Sequence, residues 1–153
     1  MSLLLQWCTI SELCILNNPI PLSVADKILK YHISPMTPVR GFLGFPVTAS
    51  QRSGFRPKSY ELGRGRSGGS QHTFEDDGEI VGRGAVDWTT PEPKDLKKLF
   101  DAICKFTPYT RVCIYPSNGF IHCDYKNEVK DRWTYKCSSP VGAWERVAKL
   151  PSI

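Results

Sequence analysis

A chain of 153 residues, 41% hydrophobic and 23% charged, is long enough for one domain with its own core and short for two. That composition excludes a disordered tail or a fibre, nothing in it resembles a transmembrane span, and it carries neither an internal repeat nor a low-complexity segment. The net charge of +5 favours anionic partners, among them nucleic acid, membrane surfaces and bacterial cell wall, without choosing between them.

The opening MSLLLQWCTISELCIL is apolar, but it lacks a basic region, contains Glu12 and offers no small-residue cleavage site before the following NNP. It does not read as a signal peptide, so synthesis in the cytoplasm is expected. The six cysteines include no C-x-x-C pair and read as reduced, mostly buried thiols. SVADKILKYH, residues 23–32, predicts a short helix with Ser23 as N-cap and Ala25, Ile28, Leu29 and His32 on one face. His32 then belongs to the core or to the last helical turn. Prolines and glycines crowd residues 34–69, which read as an ordered loop region with little regular structure. Within it, GRGRSGG is a solvated loop whose arginines and free amides could hold an anion. The acidic EDDGE after Phe74 reads as an exposed turn.

PEPKDLKKLFDAICKF, from Pro91, predicts a helix burying Leu96, Leu99, Phe100 and Ile103. RVCIYPSNGFIHCDY, residues 111–125, predicts a hairpin through Asn118-Gly119, because both residues tolerate positive φ. Alternation puts Phe120, His122 and Asp124 on one face of its second strand, and Ile121, Cys123 and Tyr125 on the other. The pairing also places Cys113 on the face of His122, which disfavours a Cys113–Cys123 disulfide. DRWTYKC supplies a further strand and PVGAWERVAKL a terminal helix or turn. Trp88 and Trp133 read as packing residues.

Two of the three histidines, His72 and His122, lie in polar segments committed to strands or to loops that flank them. A catalytic zinc commonly takes three protein ligands from histidine and carboxylate and keeps a fourth position for water. His72, Asp87 and His122 satisfy that count. Asp87 stands between Gly84-Ala85-Val86 and Trp88, where an unpaired buried carboxylate would be costly.

The segments SGFRPKSYELGRGRSGGSQH, GRGAVDW and GFIHCDY, in this order, resemble the zinc D-alanyl-D-alanine carboxypeptidase and endopeptidase family. That family includes phage endolysin peptidases and shares its fold with the amino-terminal domain of Hedgehog proteins. Its pattern runs roughly S-G-[YF]-R, then S-x-H-x-x-G-x-A-x-D, then a late histidine on a strand. Ser53-Gly54-Phe55-Arg56 is similar to the first element, Ser70-Gln71-His72 with Ala85-Val86-Asp87 to the second, and His122 to the third. The resemblance covers about residues 45–125 of a single domain spanning residues 1–153.

The resemblance implies an α+β fold of the Hedgehog/DD-peptidase type, a small antiparallel sheet packed with helices around a zinc cleft. It implies Zn2+ as cofactor with His72, Asp87 and His122 as ligands, Arg56 as the guanidinium that binds a substrate carboxylate or the oxyanion, and Ser70 as a substrate-positioning residue. The chain departs from the family in two places. The family's aspartate follows its first histidine by seven residues, whereas Asp87 stands fifteen after His72. Glu79 falls at the family spacing and competes with Asp87, which the GAVDW context favours. The family's general base lies two or three residues before the last histidine, where this chain has Phe120 and Gly119. Asp124, on the same strand face as His122, is the substitute base, and reads equally well as a structural carboxylate.

The function this resemblance implies is hydrolysis of a peptide bond in bacterial peptidoglycan, with the stem peptide as partner and action on the cell wall after release or as part of a virion. A catalytically inactive zinc-stabilised binding or virion-associated module is the alternative. A basic nucleic-acid-binding domain is supported only by charge and the RGR loop.

Overall fold

Strand alternation divides the sheet of this protein into two unlike faces. In the computed structural model, which describes residues 7–15, 20–66, 68–75, 82–139 and 142–152, six strands form one mixed sheet. They are β1 (Thr48–Ala49), β2 (Ala85–Thr89), β3 (Arg111–Tyr115), β4 (Phe120–Asp124), β5 (Trp133–Lys136) and β6 (Glu145–Lys149), in the order β1-β2-β4-β3-β5-β6. Every neighbouring pair is antiparallel except β3 and β5, which run parallel. With the helices below, the class is α+β, as expected.

One face of the sheet carries Val86, Trp88, Val112, Ile121 and Cys123, all buried in the main core with Leu99 and Ile103 of α4 (Leu96–Phe106). Full burial of such side chains contributes about 1.5–3 kcal/mol each. The helix α4 begins after a 3-10 turn at Pro93–Asp95 and buries Leu96, Leu99, Ala102 and Ile103, with Phe100 packed at the margin. The opposite face carries Asp87, Cys113, Tyr115, Phe120, His122, Asp124 and Tyr135. Two cross-strand pairings centre it, Asp87 with His122 and Cys113 with His122.

The hairpin forms where expected. Asn118 and Gly119 both donate backbone N–H bonds to the Tyr115 carbonyl, and Gly119 takes φ 76°. Cys113 sits across from His122 while Cys123 pairs with Val112, and all six cysteines are free thiols, five of them buried.

The helix expected at residues 23–32 is longer than its sequence signals. It starts at Leu22 behind Pro21, so Ser23 lies inside α1 (Leu22–Ile28) rather than capping it. A π-helical turn over Leu29–Ile33 then leads into α2 (Ser34–Leu43). The buried side is Val24, Ile28, His32 and Ile33, and Leu29 is half exposed. Pro35 and Pro38, which argued for a loop, lie inside α2. The widened turn ahead of them accommodates residues that cannot supply a helical N–H. A second helix in the expected loop region, α3 (Lys58–Gly63), starts behind Pro57. The terminal PVGAWERVAKL segment is neither helix nor turn over Glu145–Lys149: it pairs with β5 as an exposed edge strand, tertiary pairing overriding its helix-favouring composition. Among the described residues, no helix is long and apolar enough to cross a membrane.

Candidate metal centre

Ser53-Gly54-Phe55-Arg56 is the clamp around which the centre assembles. Asp87 donates its backbone N–H to the Ser53 carbonyl at 2.8 Å, and Arg56 donates its backbone N–H to the His72 carbonyl at 2.8 Å. Phe55 N–H bonds the Leu13 carbonyl at 2.6 Å, so closely that a Cβ on Gly54 would overlap the Leu13 carbonyl oxygen. Glycine is required there for the backbones to meet. His72 stands on a 3-10 turn, Gln71–Thr73, whose N-cap is Ser70: the Ser70 hydroxyl accepts the His72 N–H at 3.2 Å. Phe74, at φ 59°, ends the turn, and its ring occupies the space that a Cβ on Gly84 would need.

Three ligand-type atoms converge at this point. His72 Nδ1 lies 2.8 Å from the Gly54 carbonyl, which can only accept. Nδ1 is therefore the donor there, and Nε2 is the atom turned toward Asp87 Oδ1, at 3.3 Å. On the other side, His122 places Nδ1 2.9 Å from the same Asp87 oxygen and Nε2 2.7 Å from Asp124 Oδ2. The remaining Asp87 oxygen accepts from the Ser53 hydroxyl at 2.7 Å and faces Arg56 at 3.2 Å. His72, Asp87 and His122 each offer one atom, all within 4.8 Å of one another, and the triad could hold a metal ion. Each ligand also has its other polar atom held by a second residue, the arrangement that orients metal-binding side chains.

The electrostatics follow from this packing. Burial opposes ionisation of Asp87, but the His72 and His122 imidazoles hold its carboxyl well below the usual range. Burial likewise opposes the His122 cation, yet hydrogen bonds with Asp124 and Asp87 outweigh it and bring the imidazole up to about 9. Two groups that share so short a contact call for a proton or a metal cation between them.

Asp124 is fully buried and pairs with Arg111 through both oxygens, Nε donating to Oδ1 at 2.8 Å, while Lys126 N–H reaches Oδ1 at 3.0 Å. It lies behind the His122 ring and outside the pocket lining. The residue expected as substitute base thus has its oxygens on His122, Arg111 and the Lys126 N–H. Ser70 also lies outside the lining, its hydroxyl occupied as a cap.

A pocket of about 300 Å³ opens over the triad, lined also by Arg56, Arg66, Tyr115, Phe120 and Trp144. Arg56 therefore does face the pocket. It is anchored by Glu61 at 3.1 Å, and Arg66 binds the other oxygen of that carboxylate at 2.8 Å. Burial would raise the Glu61 carboxyl, but the two guanidinium groups pull it lower. Arg66 comes from the GRGRSGG loop, where the sequence suggested a free anion-binding arginine. The Trp144 ring stands edge-on to His122 at 5.1 Å, and Arg111 stacks on its face at 4.5 Å.

Sequence reasoning took Arg66 only as part of an anion-binding loop and missed Glu61, Arg111, Tyr115 and Trp144. Only Arg111 and Tyr115 carried a signal, since alternation along β3 puts them on the His122 face. The competing ligand Glu79 lies outside the described residues. No family model matches the chain, and no curated protein or solved structure is significantly similar to it.

Proposed function

We propose that this protein is a zinc-dependent peptidase acting on a peptide bond of bacterial peptidoglycan, with a fold of the Hedgehog/DD-peptidase type. The observation that carries the reading is the convergence of His72 Nε2, His122 Nδ1 and Asp87 Oδ1 beneath a pocket lined by Arg56. Nitrogen and oxygen ligands suit zinc. His72 Nε2 and His122 Nδ1 lie 3.3 and 2.9 Å from Asp87 Oδ1, so these three side chains would hold one ion between them. The resemblance of SGFR, SQH, GAVDW and FIHCD to the zinc D-alanyl-D-alanine peptidases supports the same assignment.

Zinc, when bound, would lower the pKa of a water and polarise the scissile carbonyl. The chain's own residues do the rest. His72 Nδ1 and His122 Nε2 are held by Gly54 and Asp124, so His72 Nε2 and His122 Nδ1 are the atoms that would hold the ion. Ser53 and Arg56 hold the second oxygen of Asp87. Arg56 presents fixed positive charge at the pocket wall for a substrate carboxylate or a developing oxyanion.

The alternative, a zinc-stabilised binding module without turnover, is favoured by one observation. Glu61, Asp87 and Asp124 each already engage at least two partners, so none of these carboxylates stands free to take a proton from water. Purified protein should contain one zinc per chain and release new amino or carboxyl termini from peptidoglycan fragments in a chelator-sensitive way. Zinc loading without turnover on a panel of cell-wall peptides selects the binding module. Absence of zinc from the wild type, or its full retention in His122→Ala, removes both.

A further inference from the structure

Tyr115 lines the pocket, and its hydroxyl is used by none of the preceding assignments. Strand alternation sets it on the metal-centre face of β3, two residues from Cys113, whose cross-strand partner is His122. Phe120, its own partner, stacks on it at 4.4 Å and fixes the ring. The residue is 8% exposed and lines the pocket over the triad.

The hydrogen-bond roles at this hydroxyl are determined by its neighbour. Trp144 Nε1–H, which can only donate, lies 2.6 Å from the Tyr115 oxygen. The phenol oxygen is therefore an acceptor there, and its own proton is directed elsewhere. Among the described residues no acceptor takes that proton. Burial pushes the phenol above its ordinary pKa despite the indole donor, so the group stays protonated at neutral pH. Receiving one hydrogen bond also makes the O–H a stronger donor.

Resting on the peptidase reading, we infer that Tyr115 is a catalytic residue whose hydroxyl donates a hydrogen bond to the carbonyl oxygen of the scissile amide as negative charge develops there. In that step the water oxygen bonds the carbonyl carbon and the carbonyl electron pair moves onto oxygen. The C=O then re-forms as the C–N bond breaks. The water oxygen stays on the acyl carbon and both its protons end on the departing amine, giving carboxylate and ammonium. Tyr115 keeps its proton throughout, since its contribution is that of a preorganised neutral donor. Arg56, held by Glu61 and Asp87 in the same lining, is then free to bind an anionic group of the substrate rather than the oxyanion.

The test compares Tyr115→Phe and Trp144→Phe with the wild type in zinc content, kcat, KM and calorimetric affinity for a phosphinate analogue of D-alanyl-D-alanine, a tetrahedral mimic. Tyr115→Phe should keep its zinc and its KM, lose on the order of a hundredfold in kcat, and lose phosphinate affinity by a similar factor. Trp144→Phe keeps the hydroxyl and should lose less than tenfold. Equal losses in the two variants would make the effect one of packing and overturn the role of Tyr115. Wild-type kcat in Tyr115→Phe overturns that role while leaving the peptidase reading standing. A zinc-loaded wild type that neither hydrolyses cell-wall peptides nor binds the phosphinate overturns the peptidase reading, and the role of Tyr115 with it.

Discussion

Asp124 Oδ2 and His122 Nε2 lie 2.7 Å apart on the side of the imidazole turned away from Asp87. The ring is thus gripped between two carboxylates, one buried with Arg111 and one facing the pocket.

From this follows a distinction between orienting a ligand and accepting a proton. Asp124→Asn retains an acceptor for the His122 N–H but loses the charge paired with Arg111. Zinc affinity should fall by about 10–100-fold, the usual cost of removing an orienting partner. Because the defect is in metal retention, excess zinc should restore most of the rate. A hundredfold loss of kcat that persists at saturating zinc would return Asp124 to the role of general base.

Gly54→Ala should damage stability and metal binding together. The added methyl meets the Leu13 carbonyl, and Gly54 is also the residue whose own carbonyl fixes the His72 ring. Overpacking of this kind costs about 1–3 kcal/mol. Urea unfolding should show the loss, and zinc titration should show weakened affinity in the fraction that folds. Wild-type values in both measurements would mean that the Leu13–Phe55 crossing relaxes easily.

His32 supplies the clearest pH dependence. Its Nε2 lies 2.8 Å from the Arg83 carbonyl and its Nδ1 2.8 Å from the Tyr109 hydroxyl, whose oxygen also accepts from Trp88 Nε1. The neutral ring satisfies every member of this chain. Burial drives the His32 pKa down to about 3, below an unfolded value near 6.5. The unfolded chain therefore binds a proton that the folded chain refuses. The neutral ring's contribution is fully present above about pH 6.5 and declines toward pH 3, by up to about 1.4 kcal/mol per pH unit. Denaturant titrations at pH 7, 5.5 and 4.5 should show His32→Gln losing less stability over this range than the wild type. Parallel slopes would place the acid sensitivity in other groups.

The cysteines offer a check that is independent of function. Cys113 and Cys123 belong to opposite faces of the hairpin, and all six thiols are free. Denatured, unreduced protein should titrate six thiols per chain, and peptide mapping should find no bond between Cys113 and Cys123. A disulfide there would contradict the strand register.

What was legible in the sequence was whatever depended on local periodicity or turn chemistry. Leu96, Leu99 and Ile103 declared α4, Asn118-Gly119 declared the hairpin, and alternation put His122 and Asp124 on one face. The α+β class followed from these. The helices at 34–43 and 58–63 were hidden because Pro35, Pro38 and Pro57 read as breakers, and nothing local announces a π turn that makes room for two of them. The triad came from motif order, since the fifteen residues from His72 to Asp87 gave no local sign of contact. Trp144 was invisible for another reason: it reaches His122 through β6, whose pairing with a parallel neighbour of β3 is a purely long-range event.

The clamp at Ser53–Arg56 touches the backbone or side chain of both His72 and Asp87, and it crosses the chain near Leu13. Ligands drawn from distant segments are thereby held by one short stretch of backbone, and the site exists only when the whole domain is assembled. Any ion that binds the folded state alone then acts as a fold stabiliser, raising the unfolding free energy by about RT ln(1 + [ion]/Kd). A chelator should accordingly lower the melting temperature of the entire molecule, and not merely empty one pocket.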